Sequence, residues 1–524
     1  MNQTRSPTPV SSGTAMDTLL QLQRRGVVLW LRDGELRYKA PRGSLTEADI
    51  LRLKESRAQL AQLLKTEGVL SDEVEPPLRP RQVNGPAPLT YAQLAHWRRY
   101  QLETRRSVRQ IPSVTRLSGQ LNLAAVEKGI AEIVRRHEAL RTRIVLRNGI
   151  PHQELCESSI ELRVDDMTRV SMSMREAAVQ RAVEEVILEP VDVTVGPLFD
   201  ARVLKLTEDE HVLILATEHL ASDGHSQGIL LREVLASYAA SVDGCPAALP
   251  PISIQLADYA VWQRACESTW TVKHRAYWKE RLHGCRRLRF PEDKALGGLV
   301  RPGWGNVSVC IERELKSLLI QWCRMNRTTL ALSVFTAYAA AVLQWCGVTD
   351  GMLRYEINGR IRPEIENTVG YFASGLNLRI QVDRNQTLED IARRVVQEYC
   401  AAYEHADSAL LDTELPLHEC LRSSAFNWLP EAGAPLPALA SLHDKAIRLT
   451  QLSFPHPLMR TYEWDAEPAI VLFDTTDDVA AFMYFPMSRF SPEYMMRFAE
   501  CFIAYVEALA TRPRARMCDV GLRR

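Results

Sequence analysis

No two cysteines lie closer than Cys310 and Cys323, so the chain holds no C-x-x-C ligand pair and a structural zinc site is not expected. Eleven cysteines at irregular spacing also do not form a disulfide framework. They read as reduced thiols, from which a cytoplasmic location is expected. An excess of charge is missing too: 64 basic residues balance 64 acidic ones, which gives no global reason to expect a nucleic-acid or membrane partner. Met1 to Thr14 is polar and lacks the apolar core of a signal peptide. There is no glycine-rich phosphate loop and no short-period repeat. One long apolar stretch, Thr328 to Thr349, carries no charge. Its Ser333, Thr336, Gln344 and many alanines point to a buried core helix rather than a membrane span.

What the chain does contain divides into parts. Residues 1–15 are expected to be disordered, 16–66 to form a small module, and 67–87 to be a linker, acidic at first and then proline-rich. Residues 88–245 and 251–524 are expected to form two lobes, separated by Gly244, Pro246, Pro250 and Pro251. In the module, Thr18 to Arg25 reads as a helix closed by Gly26. Val27 to Leu31 and Glu35 to Ala40 read as strands around Asp33-Gly34, a two-residue hairpin turn. A second helix opens at Ser44 to Glu47. Beyond the linker, helical and strand patterns alternate. Helices are expected at Ala124 to Arg136, Arg175 to Val186, Gln227 to Ala240, Leu315 to Cys323, Leu388 to Tyr403 and Pro492 to Leu509. A hairpin is expected around Asn148-Gly149. Val212 to Ala216, a continuous apolar run, reads as a buried strand.

That strand leads into Glu218-His219-Leu220-Ala221-Ser222-Asp223-Gly224. A histidine at a strand end is held in place. Asp223 is positioned to cap the next helix, and Gly224 to allow close backbone approach. Amides at a helix start suit a developing oxyanion. A neutral imidazole suits general-base work on an amine or alcohol. By itself H-x-x-x-D-G is weak, since a histidine after a buried strand is commonly structural.

Five landmarks occur in a fixed order. They are Thr90-Tyr91-Ala92-Gln93-Leu94-Ala95-His96-Trp97, Arg136-His137-Glu138-Ala139-Leu140-Arg141-Thr142, the segment 218–224 itself, Asp258-Tyr259-Ala260-Val261-Trp262-Gln263, and Val369-Gly370-Tyr371-Phe372 with Leu378-Arg379. Together they resemble the condensation domains of nonribosomal peptide synthetases, from about residue 88 to the end. The resemblance implies an α/β (α+β) fold of two chloramphenicol-acetyltransferase-like lobes in a V-shaped pseudo-dimer, with a tunnel between them. It implies that His219, Asp223 and Gly224 form the catalytic segment, supported by Glu218 and Ser222. It implies an arginine partner for Asp223, for which Arg141 and Arg360 are both candidates. Trp262 resembles a family tryptophan important for activity, though a core aromatic is an equal reading. No bound cofactor is implied, because the substrate rides on the phosphopantetheine of a partner carrier protein.

Three departures stand out. Glu218 replaces the family's first histidine, where it either acts on His219 or pairs with an arginine elsewhere. Ser374 stands where the family has asparagine. A later pattern survives only as Asp412-Thr413-Glu414-Leu415-Pro416-Leu417. The spacing of Glu218, Asp223 and Ser226 also imitates heterocyclisation domains, which lack the histidine. Residues 16–66 resemble β-hairpin docking domains, small α-β-hairpin-α modules that bind the C-terminal tail of an upstream carrier protein. Trp30, Arg32, Arg37, Tyr38 and Lys39 are the candidate contacts, suited to an acidic tail added at the hairpin edge. No adenylation or carrier domain follows, so the donor is expected in trans. The acceptor is then a free small molecule or one held on another carrier. The product is expected to be an ester or amide, with chain release of the kind that ends enacyloxin assembly as the model for a free acceptor. An inactive recruitment module and a coenzyme A-dependent acyltransferase are the competing classes.

Overall fold

The computed structural model describes residues 22, 28–32, 35–39, 45, 47–57, 59–60, 76–82, 85–102, 110–156, 160–285, 288–297, 303–406, 423–430, 447–452 and 467–520. The chain divides into two compact units, Met1–Pro76 and Pro77–Arg524.

In the first unit, β1 (Val28–Arg32) and β2 (Glu35–Lys39) pair antiparallel, with Trp30 opposite Arg37 and Leu29 opposite Tyr38. Helix α1 (Glu47–Glu55) follows, with Leu53 buried. Tyr38 is exposed. The side chains of Trp30, Arg32, Arg37 and Lys39, the turn at 33–34, and all of the expected helix at 18–25 except Leu22 lie outside the described residues.

The second unit opens with β3 (Ala87–Pro88), α2 (Tyr91–Leu102), β4 (Gln110–Ser118), α3 (Leu123–Arg136), β5 (Thr142–Arg147), β6 (Ile150–Leu155) and β7 (Arg163–Asp166). It continues with α4 (Arg175–Leu188), β8 (Phe199–Lys205), β9 (Glu210–Glu218), α5 (Gly224–Asp243), α6 (Leu256–Ala265) and α7 (Glu267–Leu282). Then come β10 (Trp304–Ile311), α8 (Arg313–Asn326), α9 (Leu330–Cys346), β11 (Asp350–Ile357), β12 (Ser374–Gln381) and α10 (Leu388–Tyr403). The last elements are β13 (Ala425–Pro430), β14 (Arg448–Gln451), β15 (Ala469–Asp474), β16 (Val479–Pro486) and α11 (Pro492–Thr511).

Strand β9 explains its own apolar run. It lies between β4 and β8 in a sheet of order β14-β4-β9-β8-β7. Successive side chains of a strand point to opposite faces. Leu213 and Leu215 pack into a cluster with Ile229 and Leu230 of α5, whereas Val212, Ile214 and Ala216 pack with Val179, Val183 and Val186 of α4. Both faces are therefore covered, and no alternation of polar residues is tolerated. Each such Val, Leu or Ile side chain, when fully buried, contributes about 1.5–3 kcal/mol.

The second sheet is mixed, in the order β10-β16-β15-β13-β11-β12. Its core is filled by α9 and α11, with Phe335, Tyr338, Phe498 and Phe502 buried together. The uncharged stretch at 328–349 is thus a core helix. Thr329 caps it and Gly347 closes it in the left-handed region. No single helix among the described residues is long and apolar enough to cross a membrane. The expected hairpin is present, with Asn148 and Gly149 both at positive φ. One strand crosses the expected boundary at 245–251: β14, late in the chain, pairs antiparallel with β4 in the first sheet. The described cysteines are free thiols.

Candidate functional site

Strand β9 ends at Glu218, whose N–H donates to Leu198 O at 2.9 Å. The chain then turns, with Ala221 N donating to Glu218 O at 2.9 Å. Helix α5 begins at Gly224, three residues before the expected start at Gln227, because Asp223 caps it. The Asp223 Oδ1 accepts from Ser226 N at 2.9 Å and lies 2.8 Å from the Ser226 hydroxyl.

The other Asp223 oxygen reaches across the chain. Its Oδ2 accepts from Arg360 Nη1 at 2.8 Å, from Phe372 N at 3.1 Å and from Ala373 N at 3.2 Å. Arg360 is therefore the partner that the sequence left open between two arginines. Arg141 is not: its carbonyl accepts from Cys156 N at 2.9 Å, and its Nε is buried without a hydrogen-bond partner among the described residues. The Arg360 guanidinium also donates to Thr368 O at 3.1 Å and to the Ser226 hydroxyl at 2.8 Å. Burial alone would push the Asp223 carboxyl up, but the Arg360 charge and hydrogen bond, aided by Ser226, outweigh it and hold the carboxyl below its usual range. Close approach here requires Gly359, at φ +65°, where a Cβ would lie 1.8 Å from Phe372 O.

His219 is half-buried. Its Nδ1 lies 2.9 Å from Ser222 O. A carbonyl only accepts, so in the neutral ring Nδ1 carries the hydrogen and Nε2 keeps its lone pair. Ser222 is itself buried, with its hydroxyl accepting from Gln227 Nε2 at 3.1 Å. Glu218, also buried, accepts from Leu220 N with Oε2. Its Oε1 lies 3.9 Å from His96 Nε2, a second imidazole beside His219. Gly224 is exposed, and a Cβ there would make ordinary contact with Leu429, so close ligand approach is not what its local packing demands.

Ser374 lines a small cleft with Thr90, Gln263, Ile357 and Tyr371, and its Oγ is buried without a hydrogen-bond partner among the described residues. Trp262 sits in the core behind the site: its ring is 5.4 Å from that of Tyr259, which is 5.2 Å from that of Phe372. The Arg362 guanidinium lies 5.0 Å from the Trp262 centroid. The structure therefore brings Glu218, His219, Ser222, Asp223, Gly224 and Arg360 together, sets Ser374 in a nearby cleft, and leaves Trp262 and Arg141 outside.

Two residues escaped sequence reasoning, His96 and Tyr371 as site rings. Their centroids are 5.1 Å and 4.5 Å from that of His219. The sequence marked His96 only as a member of the first landmark, Thr90 to Trp97. It lies one helical turn beyond Gln93, whose Nε2 donates to Leu220 O at 2.8 Å. Other landmark residues buttress α5 from behind: Arg136 and His137 both reach the fully buried Glu233, at 2.8 Å and 3.0 Å. No group of three metal-ligating side chains occurs among the described residues.

Comparison with known proteins is decisive. Residues 83–419, 337 of 524, match the condensation-domain family. The chain belongs to that family. Residues 17–66 match the TubC N-terminal docking domain. One polypeptide of the linear gramicidin synthase of Brevibacillus parabrevis is 29% identical over 84% of the chain, but the match spans only 9% of that protein. Phosphinothricin tripeptide synthetase PhsC of Streptomyces viridochromogenes is 30% identical over 63% of the chain and 31% of its own length. Among solved structures, the teicoplanin X-domain in complex with OxyB superposes with a TM-score of 0.71 at 20% identity, over 86% of this chain and 99% of that one. The condensation domain that mediates chain release from the enacyloxin polyketide synthase superposes at 0.67 and 21% identity, over 96% and 98%. The mixed α/β fold expected from the sequence is thus that of condensation domains, with a docking domain ahead of it.

Proposed function

We propose that this condensation domain joins a carrier-bound acyl chain to an amine or alcohol acceptor, with His219 as the group that handles the proton. The observation that carries this reading is the Nδ1 hydrogen bond to Ser222 O, which leaves Nε2 as the basic atom on a half-buried ring. As the acceptor heteroatom attacks the thioester carbonyl, its proton passes to Nε2 and the new C–N or C–O bond forms. The C–S bond then breaks, and the proton leaves on the carrier thiol. General-base help of this kind is worth about 10²–10⁴ in rate. Holding donor and acceptor together supplies much of the remainder. Asp223 and Arg360 take no part in proton transfer; they hold the loop.

The donor arrives on phosphopantetheine, delivered by a carrier protein whose C-terminal tail adds to the β1–β2 hairpin of the docking domain. With a free acceptor the reaction releases the chain as an ester or amide. Incubating acyl-loaded carrier with amine and alcohol candidates, and following the carrier by intact-protein mass spectrometry, tests this. Loss of the acyl mass with gain of a conjugate supports it, and the same loss catalysed by His219→Ala refutes the role of the ring. Removing residues 1–66 is expected to weaken use of the cognate carrier but to spare a soluble pantetheine thioester. Equal loss with both would assign the module to folding.

A second reading is a recruitment module that binds a partner without turnover. The likeness to an X-domain solved in complex with OxyB favours it. The basic Nε2 of His219 weighs against it, as it does against heterocyclisation.

A further inference from the structure

Beside His219 stands a second imidazole, supplied by a different element. His96 is 4% exposed, and its ring centroid lies 5.1 Å from that of His219 and 5.4 Å from that of Tyr371. The His219 and Tyr371 rings are 4.5 Å apart, so the three rings close on one another. Glu218 joins them, with Oε1 3.9 Å from His96 Nε2 and Oε2 accepting from Leu220 N. It is 3% exposed, and a carboxylate at that depth needs donors around it. One oxygen accepts from a backbone amide, and the other faces the His96 imidazole at ion-pair distance.

These two residues complement each other in space. In the family pattern the residue before the catalytic histidine is a histidine, and here it is Glu218. The imidazole missing from the loop reappears on α2, at His96, facing the acid that replaced it. Helix α2 is tied to the same loop by Gln93 Nε2 on Leu220 O at 2.8 Å, so the placement of His96 is fixed by two contacts one turn apart.

We propose that His96 is a positioning residue for His219: anchored by Glu218, it packs with Tyr371 against the His219 ring and holds it in the orientation whose Nδ1–H donates to Ser222 O. The inference rests on His219 being the working ring, but its test does not. A histidine that merely fills the core would, when replaced, change stability and leave the His219 tautomer alone.

The experiment uses full-length protein labelled with ¹⁵N- and ¹³C-histidine, without ligand, with the His219 signals assigned by their loss in His219→Ala. Wild type is expected to show a single Nδ1–H tautomer at His219. In His96→Leu the ring is expected to exchange between tautomers. Glu218→Gln is expected to do so more weakly. His96→Gln, which keeps a donor toward Glu218, is expected to restore much of the wild-type signal. In parallel, with whichever donor and acceptor pair the wild type turns over, His96→Leu should lower kcat about 10- to 100-fold with KM changed less than about twofold, the scale expected of a displaced reacting group. A wild-type tautomer in folded His96→Leu overturns the proposal; if that variant does not fold, a wild-type tautomer in Glu218→Gln overturns it. Full activity in His219→Ala would overturn the catalytic reading instead, and leave the tautomer result to decide the placement of the ring.

Discussion

The two ends of the segment from Glu218 to Asp223 are built on different principles. At one end Asp223 accepts five close contacts, from Ser226, Arg360, Phe372 and Ala373. Its side chain and that of Arg360 are each 2% exposed. At the other end His219 is half-buried, with a backbone hydrogen bond to Ser222 O and the rings of His96 and Tyr371 beside it. A buried ion pair is poor at adding stability over an apolar equivalent, yet costly to break. Truncating a partly exposed imidazole is expected to cost less than breaking such a pair. The contrast separates a held end from the end that the proposed chemistry uses: the aspartate end fixes where the loop is, and His219 is the proposed working group on it.

The largest effect should come from breaking the held end. Arg360→Ala leaves the Asp223 carboxylate buried without its cation, and is expected to cost about 3–5 kcal/mol. Urea unfolding at neutral pH, read as a shift in midpoint at constant slope, measures it. A shift below about 1 kcal/mol would show that the two ends are held alike.

Next comes the working end. His219→Ala is expected to lower turnover about 10²- to 10⁴-fold while changing stability by under about 1 kcal/mol. Single-turnover transfer from an acyl-loaded carrier and a urea midpoint on the same preparation give the two numbers. A variant that loses stability as Arg360→Ala does would erase the distinction.

Acid sharpens the same comparison. The Asp223 carboxyl is held below the ordinary value near 3.9 in the folded state. Its contribution is therefore fully present above about pH 4 and is lost as pH falls from there through the lower, folded value. Wild type should exceed Asp223→Asn in unfolding free energy by a constant amount from about pH 7 to about pH 4.5, and by less at about pH 3. A difference that does not change across that range would mean the carboxyl is not held low.

How much of this was readable beforehand depends on the distance over which each contact acts. The buried strand β9, the Asp223 cap and the Asn148-Gly149 hairpin follow from neighbours in sequence, and the chain displays them openly. The choice of Arg360 over Arg141 does not, because the partner lies 137 residues from Asp223 and only the folded chain brings it there. The pairing of β14 with β4 is hidden for the same reason. The landmark left Trp262 equally readable as a site residue or a core aromatic, and the fold packs its large apolar surface beside Tyr259 and Trp270. His96 was hidden differently. Its landmark is legible, but the acid it faces belongs to a strand end more than a hundred residues on.

The smallest expected effect concerns Ser374, the departure from the family pattern that lies off both ends of the segment. Its hydroxyl is buried, has no hydrogen-bond partner among the described residues, and borders the cleft shared with Tyr371 and Gln263. A buried hydroxyl without a partner costs about 1–3 kcal/mol relative to a satisfied one. Asparagine, the family residue, is longer and carries both a donor and an acceptor. Gln263, which lines the same cleft, accepts from Tyr91 N with its amide oxygen at 3.1 Å. Ser374→Asn is therefore expected to change stability by under about 1 kcal/mol, since a gained hydrogen bond of about 0.5–1.5 kcal/mol is offset by tighter packing. Its mark should fall on the acceptor: KM for the acceptor should change severalfold while that for the acyl carrier stays within about twofold. Equal change in both would place the cleft on the donor's path, and no change in either would remove it from the path of both substrates.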